Sequence, residues 1–242
     1  MSLEPFPEDW ERATVIAAHP DDIEWGIAAA VATWTTAGKE VTYVLVTSGE
    51  AGIDSMHPDV ARRVREAEER EAAAIVGVSE VEFLGFPDGR VVEDLALRRA
   101  IAAAIRRHRP DVVVGQHHGE RWGEGLGRPW NSADHRAVGR ATMDAVADAA
   151  NRWIFPDLEE PRWPGTRWIA VQAPPTRATH AVDIEGVGDV GVWSLLAHEQ
   201  YLRGLGVEDL VAYATGVLER QVEAVRPHFN GRRGVAFELT PV

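Results

Sequence analysis

A short β-branched run followed by a longer helical pattern recurs four times in the first two-thirds of this 242-residue chain, and that alternation restricts the fold most. Ala13 to Ala18 (ATVIAA) reads as a buried strand, and Gly26 to Gly38 as a helix closed by a glycine. Glu40 to Val46 (EVTYVLV) is the next strand, followed by a helix from Asp59 to Val76 with charges of both signs on its exposed face. Val81 to Leu84 precedes a helix over Asp94 to His108, and Asp111 to Gly115 (DVVVG) precedes one over Ala133 to Ala150. Four such units predict an α/β fold: a Rossmann-like, mostly parallel sheet with helices on both faces. Ligands of such sheets lie beyond the carboxyl ends of the strands, near the point where strand order reverses. The loops after Ala18, Val46, Leu84 and Gly115 are therefore where chemistry is expected.

The rest of the chain is less regular. Phe155 to Pro175, rich in Pro, Trp and Arg, reads as a long connection with one strand at Trp168 to Val171. Thr179 to Ile184 suggests a strand, Gly191 to Leu205 and Val207 to Val225 two helices, and Gly234 to Leu239 a closing strand. With no repeat, low-complexity tract or shift of composition, residues 1–242 read as a single domain.

Composition narrows the functions. A formal net charge of −13 opposes binding to a phosphate backbone, and weakly opposes an anionic membrane surface. The absence of cysteine excludes disulfides, thiolate metal sites and cysteine nucleophiles, so any zinc must be held by His and carboxylate. Met1 to Trp10 is acidic and Pro-bearing, unlike a signal peptide, and no stretch is long enough to span a bilayer. The default expectation is a cytoplasmic protein with neither nucleic-acid nor membrane partner.

The first strand runs directly into His19-Pro20-Asp21-Asp22-Ile23-Glu24. A catalytic zinc needs imidazole and carboxylate close together on rigid backbone, with a position left open. His19 and Asp22 flank a Pro-containing turn and can face one point, while Asp21 between them is free to take a proton from water. Read alone, Pro-Asp-Asp is equally a turn followed by helix-capping acids. Its place at a strand's carboxyl end favours the functional reading. The second element, Asn131-Ser132-Ala133-Asp134-His135, opens the helix after the fourth strand, from which His135 can supply a third ligand. By itself a His in a helix's first turn is more often a solvated residue.

Together these segments resemble the LmbE-like, or PIG-L, family of zinc-dependent de-N-acetylases. The family includes deacetylases acting on N-acetylglucosaminyl conjugates in mycothiol, bacillithiol and glycosylphosphatidylinositol synthesis. The similarity runs from about Ala13 to about Tyr201 and rests on AHPDDIEWG, TSGEAG, REAEEREAAAIVGV, FLGFPDG, RPDVVVG and DHRAVG. It implies that His19, Asp22 and His135 bind the metal and that Asp21 is the general base. It further implies that Arg65 and Asp88 help bind the sugar, and that Asp134 orients a catalytic imidazole. For these three the plain alternatives are a surface salt bridge, a turn residue and a helix cap.

One position departs from the pattern. The first His of the family's His-x-Asp-His motif, taken to stabilise the oxyanion or assist the leaving amine, is Ser132 here. A serine donates a hydrogen bond but is no acid near neutral pH. His117 or His118 can substitute, Asp21 can shuttle the proton alone, or the protein can hold zinc and hydrolyse poorly. The resemblance offers His198 as a further candidate, and the ordinary reading of each remaining His is structural.

The expected reaction is metal-dependent removal of an acyl group, acetyl first, from the nitrogen of an amino-sugar conjugate, with zinc, or iron(II), as cofactor. Trp122 and Trp130 flank the site and can stack on a sugar or an aromatic aglycone, although most of the nine tryptophans read as packing. The loop Gln116 to Asn131 is a candidate lid, which points to a specialised conjugate rather than free N-acetylglucosamine. A larger amide, as in mycothiol-conjugate amidases, is a variant of the same reading. The main rival is a metal-binding relative with little activity, serving in binding or regulation, and Ser132 is its support. A nucleotide-binding α/β protein is disfavoured, because no G-x-G-x-x-G turn follows the first strand and two acids stand where a pyrophosphate needs N–H groups. The long C-terminal helices offer a surface for a homo-oligomer without fixing its symmetry.

Overall fold

The computed structural model describes residues 2–122, 128–173 and 177–242. In chain order the elements are β1 (Glu4–Pro5), β2 (Arg12–Ala17), α1 (Ala28–Thr36), β3 (Glu40–Thr47), α2 (Pro58–Ile75), β4 (Glu80–Phe86), α3 (Leu95–His108) and β5 (Val112–Gly115). They continue with α4 (Ala133–Ala150), β6 (Trp168–Gln172), β7 (His180–Asp183), α5 (Gly188–Leu196), α6 (Glu199–Gly204), α7 (Leu210–Val225) and β8 (Gly234–Pro241). The strands form one sheet in the order β1-β7-β8-β6-β5-β2-β3-β4. β6, β5, β2, β3 and β4 run parallel, as the alternation predicts. β8 inserts antiparallel between β6 and β7, which makes the sheet mixed on that side.

Along β2 and β3 successive residues serve opposite faces of the sheet, as the two-residue strand period requires. Val15, Ala17, Tyr43 and Leu45 enter the core shared with Ala28 to Ala32 of α1, Leu195 of α5 and Val217 of α7. Ile16, Ala18, Val44 and Val46 enter the other, with Leu97 and Ile101 of α3 and Val138 and Ala141 of α4. Both faces are covered, so the central strands carry no solvent side.

From β2 the chain winds outward through β3 to β4, then crosses back to β5 and continues to β6. Strand order therefore reverses between β2 and β5, and a crevice opens at their carboxyl ends. A hydrogen bond from Ala18 N to Gln116 Oε1 (2.7 Å) ties the two outgoing loops together. Gly139 on α4 lets the β5 loop press close, since a Cβ there would stand 2.5 Å from Gln116 O.

Three expectations need correction. The single helix read over Gly191 to Leu205 is two helices, α5 and α6, broken at His198, whose ψ of 43° is not helical. Glu68 of α2 fixes that break by accepting Gln200 N at 2.6 Å. The edge strand β1 lies outside every predicted element; two residues carry too little periodicity to be read. Finally, the charges of α2 are not all on its exposed face, because Arg65, Glu68 and Glu69 are buried along with Ala61, Ala72 and Ala73. Among the described residues no helix is long and apolar enough to cross a membrane.

Candidate active site

The crevice beyond β2 and β5 is a pocket of about 650 Å³ lined by His19, Asp21, Asp22, Arg65, Asp88, Ser132 and His135 among others. His19 Nδ1, Asp22 Oδ2 and His135 Nε2 converge on one point. His19 Nδ1 lies 3.3 Å from Asp22 Oδ2 and 3.2 Å from His135 Nε2, and His135 Nε2 lies 3.0 Å from Asp22 Oδ1. Backbone geometry holds Asp22 in place, because His19 N donates to its Oδ2 at 2.8 Å. Burial opposes ionisation of Asp22, but His135 and His19 outweigh it and hold its carboxyl well below the ordinary range.

The outward nitrogens of both imidazoles are occupied. His19 Nε2 lies 3.2 Å from Asp134 Oδ2 and 3.2 Å from Asp88 Oδ1. His135 Nδ1 lies 2.9 Å from Asn131 Oδ1. Each acceptor fixes the proton on the nitrogen it faces and leaves a lone pair on the nitrogen that points inward. Two lone pairs and a carboxylate directed at one point suit a divalent ion. Asp88 and Asp134 also group with His19, but as acceptors from Ala51 N, Gly89 N and Val91 N. Their oxygens therefore act behind His19 rather than on an ion. Burial works to lower the His19 pKa, and Asp22, Asp134 and Asp88 together hold it well above the ordinary value. The protonated ring carries hydrogen on its inward nitrogen as well, so a metal would bind only as that second proton leaves, which makes binding pH-dependent.

Asp21 stands beside this cluster with φ of +94°, a left-handed conformation rarely adopted by residues other than glycine. Its Oδ1 accepts from Arg65 Nη2 at 2.8 Å, its Oδ2 from Trp25 Nε1 at 2.7 Å, and its own N–H donates to Glu69 Oε2 at 3.1 Å. Burial raises the Asp21 pKa and Arg65 pulls it down, with a net shift upward, the direction that suits a base which must take a proton.

Arg65, implied by the resemblance to touch the sugar, is spent largely on the protein. It is 2% exposed, donates to Asp21 Oδ1, Gly49 O and Pro20 O, and lies over the Tyr201 ring at 3.9 Å. The TSGEAG turn makes room for it, since a Cβ on Gly49 would stand 2.1 Å from Arg65 Nη1. Asp88 is likewise engaged by His19 and Ala51 N, although it lines the pocket. Asp134, implied to orient a catalytic imidazole, stands with its Oδ2 at 3.2 Å from His19 Nε2. Ser132 caps α4, its Oγ accepting His135 N at 3.0 Å, with its hydroxyl proton still available to the pocket it lines.

His117 lines the pocket and packs against Trp122, which in turn meets the His135 ring edge-on at 5.6 Å. His118 does not line it, and burial lowers its pKa. Trp130 is turned away, its ring between Arg121 and Arg136 at 5.1 Å each. The lid read over Gln116 to Asn131 lies in part, at residues 123–127, outside the described residues. His198 lies behind Asp21 and is fully buried with Glu24 and Glu69.

Sequence reasoning missed Trp25, Asn131, Glu69 and the approach of Tyr201 to Arg65. Two of them carried a readable signal: Trp25 follows Asp21, and Asn131 precedes His135, by one helical turn.

The sequence profile of the GlcNAc-PI de-N-acetylase (PIG-L) family matches residues 14–146. A diacetylchitobiose deacetylase of Thermococcus kodakarensis is 32% identical over 150 residues, covering 60% of this chain and 52% of that protein. The chain thus spans about half the length of that relative. Among solved structures, N,N'-diacetylchitobiose deacetylase from Pyrococcus horikoshii superposes with a TM-score of 0.80 at 22% identity, covering 96% of this chain and 85% of the other. GalB, the 4-carboxy-2-hydroxymuconate hydratase of Pseudomonas putida KT2440, does so with a TM-score of 0.70 at 24% identity, covering 96% of each chain. Both likenesses show the shared fold alone, and the two reactions differ. The chemistry has to be argued from the site.

Proposed function

The chain belongs to the GlcNAc-PI de-N-acetylase (PIG-L) family, and from that premise we propose that it is a metal-dependent hydrolase removing an acyl group, acetyl first, from the nitrogen of an N-acetylglucosamine-type conjugate. The observation that carries this reading is the paired orientation of His19 and His135, each held from behind so that its inward nitrogen converges with Asp22 on one point. These three residues would hold zinc, or iron(II). When bound, such an ion supplies positive charge that polarises an amide carbonyl and acidifies water.

The residues do the rest. Asp21, clamped by Arg65 and Trp25, takes a proton from the attacking water as its oxygen adds to the acyl carbon. The carbon–nitrogen bond then breaks, the proton passes to the departing nitrogen, and amine and carboxylic acid result. Ser132 and His117 line the pocket and are the donors at hand for the oxyanion. Trp122 and Tyr201 supply aromatic surface suited to a sugar ring. The substrate is a small molecule, consistent with a crevice of this size and a net charge of −13.

The test is amine release from a panel of N-acyl amino-sugar conjugates by protein whose metal content has been measured. Release of amine with one carboxylate per turnover supports the proposal. No release by metal-loaded protein from any member would overturn it and favour a binding role. Hydration of an enoate substrate by the same protein would move it toward the hydratase.

A further inference from the structure

Behind the crevice lies a second His–carboxylate cluster that the reaction above does not use. Glu24 follows β2, Glu69 sits on α2 and His198 breaks α5 from α6, so three separate segments meet there. All three side chains are wholly buried, at 0% exposure for the pairs they form. Among the described residues neither ring nitrogen of His198 has a hydrogen-bond partner, and Glu24 Oε2 and Glu69 Oε1 have none either. No Lys or Arg among the described residues pairs with either carboxylate. One oxygen of each carboxylate is engaged, Glu24 Oε1 by Ser194 Oγ and Glu69 Oε2 by Asp21 N, but no cationic side chain compensates either, and a buried uncompensated charge costs several kcal/mol. Positive charge has to reach them as protons or as an ion.

The distances admit the second case. His198 Nε2 lies 3.4 Å from Glu24 Oε2 and 3.7 Å from Glu69 Oε2. A proton shared between nitrogen and oxygen draws them to about 2.7–3.2 Å. Two ligands of one small ion, with bonds of about 2.0–2.2 Å, stand roughly 3.3–3.5 Å apart in tetrahedral geometry. The Nε2 to Glu24 spacing falls in the second range and the Glu69 spacing is slightly longer. One ligand atom from each of the three side chains lies within 4.8 Å of the others, close enough to share one ion. The donor set also chooses among ions, because imidazole is a poor ligand for Mg²⁺ or Ca²⁺ and suits first-row transition ions. Two carboxylates and a neutral imidazole balance a charge of +2.

We propose that Glu24, Glu69 and His198 form a second, buried binding site for a first-row divalent cation, zinc being the probe of choice. The ion joins the loop after β2, helix α2 and the α5–α6 break. Glu69 also accepts the N–H of Asp21, so the ion steadies the left-handed backbone that carries the base. Its role is structural, and it does not depend on the reaction proposed above.

The experiment is zinc stoichiometry by mass spectrometry on tag-free full-length protein, loaded with zinc and desalted, beside anomalous diffraction at the zinc edge. The expected result is two zinc per chain, falling to one in His135→Ala and to one in Glu24→Gln or Glu69→Gln. An anomalous peak between Glu24 and His198 is expected in the wild type, which decides the matter even where a core variant fails to fold. One zinc per chain, lost in His135→Ala, with no peak at the buried cluster would overturn the inference. So would a second zinc that binds elsewhere. A protein that keeps the buried ion but binds none at His135 would leave this inference standing and sink the proposed hydrolase.

Discussion

Two clusters of similar composition lie on either side of Asp21. In front are two imidazoles and a carboxylate, behind are one imidazole and two carboxylates. They differ in what stands behind the ligands. In front, Asp134, Asp88 and Asn131 occupy the outward ring nitrogens, and the cluster opens on the crevice. Behind, His198 has no hydrogen-bond partner on either nitrogen among the described residues, and the cluster is buried. Supporting hydrogen bonds fix a ligand's direction before any ion arrives, which is what a catalytic site with an open position requires. A closed site whose imidazole lacks such supports relies on the ion itself to order that ligand. Composition alone would have equated the two.

The strongest test of that division is Asp21→Asn. If Asp21 is the base and the front cluster holds the metal without it, kcat falls by about 10²–10⁴-fold while metal content is unchanged. Loss of both together, read by mass spectrometry beside steady-state kinetics, would show that Asp21 belongs to the ligand set and would blur the boundary between the clusters. The next largest effect concerns the supports. Asp134→Asn turns an amide toward Gly89 N, Val91 N and His19 Nε2, where a carboxylate now accepts. Front-site zinc affinity should weaken by about 10–100-fold in competition with a chelating dye. An unchanged affinity would mean that His19 needs no orientation from behind, and the contrast drawn above would fail.

How far each cluster could be read from the sequence follows the same contrast. His19, Asp21 and Asp22 share one turn at a strand's carboxyl end, and His135 opens a helix beside the next crossing loop, so local pattern and topology together expose the front site. The sheet was equally legible from β-branched runs and glycine stops. The rear cluster was not. Glu69 lies on a helix whose charges read as a solvated face, and the expectation that buried helix faces are apolar fails where Arg65, Glu68 and Glu69 turn inward. His198 is hidden inside what reads as one continuous helix, and the tertiary contact of Gln200 N with Glu68 holds the break there. The contacts of Arg65 with Asp21, Gly49 and Pro20 are not legible either, because sequence spacing does not say which side of a pocket wall a guanidinium serves.

The smallest expected effect lies at Ser132, where the chain departs from the family pattern. Its Oγ caps α4 by accepting from the backbone N–H of His135, so the side chain supports the helix turn that carries the proposed ligand His135. Removing an N-cap oxygen costs about 1 kcal/mol of stability. Ser132→Ala should therefore lower thermal stability by that amount, and Ser132→Thr, which keeps an acceptor, should restore it. If capping is the whole role, kcat changes by less than about 10-fold in both variants, because the cap does not touch the reacting atoms. The serine hydroxyl proton is still free to face the pocket, and a lost oxyanion donor costs about 10²–10³-fold in kcat. A loss of that size in Ser132→Ala, recovered in Ser132→Thr, would make the serine an oxyanion donor in place of the family's imidazole. A small loss in both, with a large one in His117→Ala, would pass that task to the histidine that lines the same pocket.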